Sequence, residues 1–266
     1  MEFGGRKRVE RVPASETQLP IPLSPRDAAR IRWGRRLRIA AVAVVIAVAA
    51  GLIYKRVVDP RSAREAYAAG QSLMAATRYD QAALNFTRAI ELMPNFADAY
   101  RMRGRIYAAQ YRPEPAIQDF TRVIQLDPRD PTALVERGIV YLQKDKPEYV
   151  AAIADAAHAV ALNPKLPRAY SLRGVAEREA GRPLEALEDF TRAVKLEPNL
   201  ENLFQRASTY QLLGRHALAI ADLTAAIQIS PQEPHFYYAR ALSEAALGNA
   251  AAARSDAETG RKLQGG

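Results

Sequence analysis

Between residues 63 and 264 one pattern of about 34 residues is written six times, and a period of that length commits a chain to a stack of small, similar units. The segments QAALNFTRAIELMP, PAIQDFTRVIQLDP, AAIADAAHAVALNP, EALEDFTRAVKLEP and LAIADLTAAIQISP close on Pro94, Pro128, Pro164, Pro198 and Pro231, with spacings of 34, 36, 34 and 33. Within each unit the apolar residues recur at helical spacing, as in Ala116, Ile117, Phe120, Val123 and Ile124. Proline cannot continue a helix, so each closing Pro marks the end of a second helix. One such helix pair cannot bury its apolar face alone; stacked pairs can, and the stack is a solenoid.

Several positions return in every unit. The first helix carries a small residue at Gly70, Gly104, Gly138, Gly174, Ala207 and Ala241. Three residues on stand Leu73, Tyr107, Tyr141 and Tyr210, with Glu177 and Glu244 as departures. The second helix carries Ala82, Ala116, Ala152, Ala186, Ala219 and Ala253, and four residues later Phe86, Phe120, Phe190 and Leu223. Ala156 and Ala257 stand at that last position in the third and sixth units, where an underfilled pocket is expected. The third unit is two residues longer, because Gln143 to Val150 lengthens its internal turn.

These positions resemble the tetratricopeptide repeat family over residues 63–264. The resemblance implies an all-α, right-handed α-solenoid of six helix-turn-helix repeats. Their bounds are 63–96, 97–130, 131–166, 167–199, 200–233 and 234–264. It implies no catalysis and no cofactor, but a protein or peptide partner held in a concave groove lined by the first helices. Carried onto this chain, that face offers Tyr67, Gln71, Arg101, Arg105, Val135, Ile139 and Leu142, then Ser171, Val175, Arg178, Phe204, Gln211, Tyr238 and Leu242. The middle of this face is apolar, and Arg101 and Arg105 are expected to be exposed and to orient an acidic group. The lysine and asparagine of the carboxylate-clamp subset of the family are missing, with Tyr67, Gln71, Met102 and Asp98 in the first such set.

A second pattern lies inside the first. Repeats two to six have Arg103, Arg137, Arg173, Arg206 and Arg240 just before the small residue, and Asp119, Asp155, Asp189, Asp222 and Asp256 on the second helix. The first repeat has Ala69 and Asn85 instead, so presence and absence go together. The covariation predicts an Arg–Asp pair joining the two helices of each unit.

The region before the repeats differs in kind. The first 38 residues hold ten basic and four acidic side chains, so +6 of the formal net charge of +9 falls there. Residues 1–30, with Pro13, Pro20, Pro22 and Pro25 and no apolar period, read as a disordered basic arm. Because the basicity belongs mainly to this arm, the repeats are not read as a nucleic-acid binder. Residues 39–54, IAAVAVVIAVAAGLIY, carry no charge and are expected to form a transmembrane helix within a segment bounded at 31 and 58. Trp33 and Tyr54 lie 21 positions apart, about 31 Å along a helix, close to the hydrocarbon thickness. Ala47-Val48-Ala49 keeps a cleaved signal peptide as the rival reading, against which the long arm weighs. Six arginines before the segment face four basic residues after it, which favours a cytoplasmic N-terminus and a solenoid outside the cytoplasm, as in a bacterial inner membrane.

No Cys is present, so disulfides and thiolate metal sites are excluded. His158, His216 and His235 fall in three different repeats without ligand spacing. The expectation is a membrane-tethered scaffold, with a soluble, exported binding protein as the alternative and an enzyme last.

Overall fold

From Asp59 onward the chain alternates helices of 13 to 16 residues with turns of a few residues. The computed structural model describes Ser24, Trp33, residues 40–45 and residues 59–265. The expected arm at 1–30 and the expected membrane segment lie outside these residues, apart from Ser24, Trp33 and a helical run at 40–45. Among the described residues no helix is long and apolar enough to cross a membrane.

Twelve helices fill residues 59–265. They are α1 (Pro60–Ala75), α2 (Tyr79–Leu92), α3 (Ala97–Ala109), α4 (Pro113–Leu126), α5 (Pro131–Gln143) and α6 (Tyr149–Leu162), then α7 (Pro167–Glu179), α8 (Pro183–Leu196), α9 (Leu200–Leu212), α10 (His216–Ile229), α11 (Pro234–Ala246) and α12 (Ala250–Gly265). Odd helices are the first helices of the repeats and even ones the second. Each packs on its neighbours in the chain, and from α3 to α11 successive first helices also touch one another. The result is an all-α solenoid.

Local chemistry sets the boundaries. Asp59, Asp130 and Asn199 cap α1, α5 and α9, their side chains accepting from backbone N–H groups of the first turn. Proline at the start of α1, α4, α5, α7, α8 and α11 gives up an N–H that a helix start leaves unpaired anyway. In five repeats the turn between the two helices carries one residue at positive φ, while the longer turn of the third repeat has none; Gly181, Gly214 and Gly248 supply it in the last three. Thr77 and Tyr111 adopt it in the first two, a conformation that is uncommon for such side chains.

The core sits between the two helices of each unit. Phe86, Phe120, Phe190 and Leu223 are at most 1% exposed, and Ala82, Ala116, Ala152, Ala186 and Ala219 are fully buried. Small residues in the first helices are forced by this packing: a methyl group on Gly70 or Gly174 would come within 2.7 or 2.9 Å of the ring of Phe86 or Phe190. The pocket expected to be underfilled at Ala156 is in fact occupied. Leu172, from the first helix of the next repeat, leans in until its Cδ2 would stand 2.6 Å from a Cβ on Gly138. It is 5% exposed and belongs to a core cluster with Leu134, Val135 and Ala156.

Candidate protein-binding groove

Arginine clamps stiffen the walls of the candidate groove. Arg103, Arg137, Arg173, Arg206 and Arg240 each place Nε and Nη2 on the two oxygens of Asp119, Asp155, Asp189, Asp222 and Asp256, at 2.6 to 2.9 Å. All five aspartates are buried and their arginines half-buried. Each guanidinium also lies within 6 Å of a tyrosine ring, Tyr107 for Arg103 and Tyr210 for Arg206 among them. Burial pushes the Asp119 carboxyl above its ordinary value, against the pull of Arg103, while the bond to Asp119 raises the Arg103 guanidinium. The remaining Nη1 reaches the preceding repeat: Arg103 donates to Thr87, Arg137 to Thr121 and Arg240 to Thr224, at 2.9 to 3.0 Å. In these three repeats a clamp therefore joins three helices of two repeats. The sequence signal for this third partner is the Phe-Thr or Leu-Thr pair in the second helix, which the Arg–Asp pattern alone does not single out.

The first helices carry the groove face, and many of its polar groups are already committed to the next repeat. Arg101 is bonded to Asp130 and, at 2.9 Å, to Glu136; Arg105 bonds the other Glu136 oxygen at 2.5 Å. With a side chain only 14% exposed, Arg101 is not the free cation expected, and two carboxylates neutralise the two arginines. Burial opposes ionisation of Asp130, but Arg101 and the N–H groups of Thr132 and Ala133 outweigh it and hold its carboxyl below the ordinary range. Val135 is 1% exposed and packs in the core, so it does not line the groove. Both errors come from one cause: the repeat register gives a helix face, while the occupant of the facing position in the next repeat decides whether it stays open.

The same ladder continues. Ser171 meets the Asn202 side chain, Arg178 donates to Gln205 at 2.8 Å, and the Gln211 amide donates to Ala239 O and Ser243 Oγ at 2.7 Å each. Tyr238 turns to its own repeat, its ring over Gly260 and its hydroxyl bonded to Gln264. Tyr67 packs at a tilt against the Phe86 and Phe96 rings and accepts from Gln71 at 3.3 Å.

Openings remain on this face: one of about 500 Å³, lined by Arg105, Ala108, Ala109, Glu136, Ile139 and Gln143 with Phe120, Val140 and Arg168, and two smaller ones. One, of about 270 Å³, is lined by Ile139, Leu142, Leu172, Val175, Arg168 and Glu201, with Gln143 and Ser171. The other, of about 260 Å³, is lined by Leu200, Glu201, Phe204, Glu233, His235 and Phe236. Phe204 meets the His235 and Phe236 rings edge-on, at centroid distances of 5.5 and 5.8 Å. Arg168, Glu201, Glu233 and His235 were not among the expected groove residues. They sit at or just before the N-terminal ends of α7, α9 and α11, outside the mid-helix positions that repeat patterns emphasise.

Tetratricopeptide repeat family models match residues 67–131, 167–200 and 200–233. Among solved structures the chain is similar to a thermophilic TPR protein of Thermus thermophilus, at 22% identity and a TM-score of 0.56, covering 70% of this chain and 98% of that one. It is similar to PilF of Pseudomonas aeruginosa at 17% identity and a TM-score of 0.66, covering 77% and 93%. It is also similar to YrrB, described as a TPR protein with an unusual peptide-binding site, at 23% identity and a TM-score of 0.55, covering 67% and 92%. No curated protein matches the chain.

Proposed function

From the premise that the chain belongs to the tetratricopeptide repeat family, we propose that it is a scaffold that holds an extended segment of a partner protein against its first helices, tethered to a membrane through residues 39–54. The observation that carries the binding reading is the opening between α5 and α7. There Ile139, Leu142 and Val175 are only half-buried, on a face whose polar groups are otherwise spent on neighbouring repeats. Apolar groups left at the centre of such a face are where a partner side chain gains most from leaving water. The tether is supported by the uncharged run at 39–54 between Arg38 and Lys55, and the flanking arginine bias supports a solenoid outside the cytoplasm.

Two measurements test the proposal. Partners captured by photocrosslinking from Leu142 and Val175 in the full chain are expected to lose crosslinks when Ile139→Asp is introduced, with circular dichroism unchanged. Unchanged crosslinking in folded protein would overturn the groove reading. Mass spectrometry of the mature chain is expected to find residues 39–54 retained; a chain starting near Ala50 would replace the tether with a cleaved signal.

A further inference from the structure

The two smaller openings on the groove face differ in charge. The α5/α7 opening has one cation, Arg168, and one carboxylate, Glu201, around aliphatic walls. The α9/α11 opening has two carboxylates, Glu201 and Glu233, and no Lys or Arg among the described residues that line it. Its floor is Phe236, 3% exposed, and its walls are Phe204 and the exposed His235 ring.

Each carboxylate at this opening has a side-chain neighbour that restrains it. Arg178 Nη1 donates to Gln205 Oε1, which fixes the amide so that its Nε2 donates to Glu201 Oε1. Glu233 immediately precedes α11, and its Oε2 is 3.5 Å from His235 Nδ1. Among the described residues neither carboxylate is paired with a lysine or arginine, in contrast to Glu136 at the other end of the face, which two arginines cover.

Carboxylates above aromatic faces form a receptor for a cationic side chain. The aliphatic stem packs on the rings, the head bonds the carboxylates, and the ring quadrupole adds to the attraction. Resting on the groove reading, we propose that the bound segment is an extended peptide with an aliphatic side chain in the Ile139–Val175 opening and an arginine or lysine side chain in the Phe204–Phe236 opening. The openings are two first-helix spacings apart, about 16–20 Å at the usual interaxial distance. An extended chain advances about 3.3 Å per residue, so the two side chains stand about five to six residues apart. The partner segment is thus basic at one end and aliphatic at the other, and the α9/α11 end selects against acids.

The test uses the full chain in mild detergent and fluorescein-labelled, end-blocked Gly/Ser peptides that carry one Leu and one Arg, Lys, Glu or Ala at separations of two to nine residues. Fluorescence anisotropy is expected to show peptides with Arg or Lys five to six residues from Leu binding at least tenfold more tightly than the matching Glu peptides. This preference is expected to weaken with salt and to disappear in the exposed pair Glu201→Gln with Glu233→Gln. If peptides bind and Ile139→Asp abolishes binding, but charge and spacing make no difference, the basic-residue inference fails and the groove reading stands. Binding unchanged by both sets of substitutions, or no binding of any peptide by the unaltered chain, would overturn both.

Discussion

Arg206 makes two kinds of contact at once: a two-pronged bond to Asp222 and a position over the Tyr210 ring. Removing one partner leaves a buried charge without its counter-ion, which costs far more than the intact pair contributes. Arg206→Ala is therefore expected to lower stability by about 2–3 kcal/mol and Asp222→Ala by a similar amount, with the double variant losing less than their sum by at least about 1 kcal/mol. Urea titration of the four proteins checks it, and simple additivity would sink it. The Arg–Asp register can be read from sequence because the missing Arg and missing Asp coincide in the first repeat. The bridging threonine is harder to read, since its hydroxyl bonds across a repeat boundary and Thr191 carries the same sequence motif with no bond to Arg206.

At the scale of helices, most of the architecture is legible. Period, proline stops and small residues together define paired helices, because each is a separate physical demand of the same packing. The less legible part is what neighbouring elements lend each other. Ala156 leaves a gap by composition, and a leucine from α7 closes it. Arg101 reads as a surface cation until α5 supplies Glu136 and the cap Asp130. That second junction is sensitive to acid. Asp130 has its folded pKa held below the unfolded value, so its contribution is fully present above about pH 4 and is lost as pH falls through the folded value. Asp130→Asn keeps a capping oxygen but loses the charge. It is expected to be about 1–2 kcal/mol less stable than the parent between pH 5 and 8, with the gap closing below pH 4. Thermal melts across that range check it; a gap that stays constant to pH 2 would show that Asp130 acts only through its cap.

For the whole stack, stability is the sum of repeat terms and junction terms, and unfolding need not be all-or-none. The threonine-linked clamps are unevenly distributed. They staple repeat one to two, two to three and five to six. At the three-to-four boundary Ala157 stands where the hydroxyl would be, and at four-to-five the shorter period carries Thr191 out of register. These two middle junctions lack the threonine staple and rest instead on Leu172 packed across the first and on the Ser171–Asn202 and Arg178–Gln205 bonds across the second, behind the opening lined by Ile139 and Val175. One fewer guanidinium bond at each middle junction is expected to let these open more readily than the stapled ones. Ala157→Thr adds the missing staple beside Arg173. It is expected to slow amide exchange in α6 and α7 selectively; uniform exchange rates along the stack, before and after, would show that its junctions open equally readily throughout.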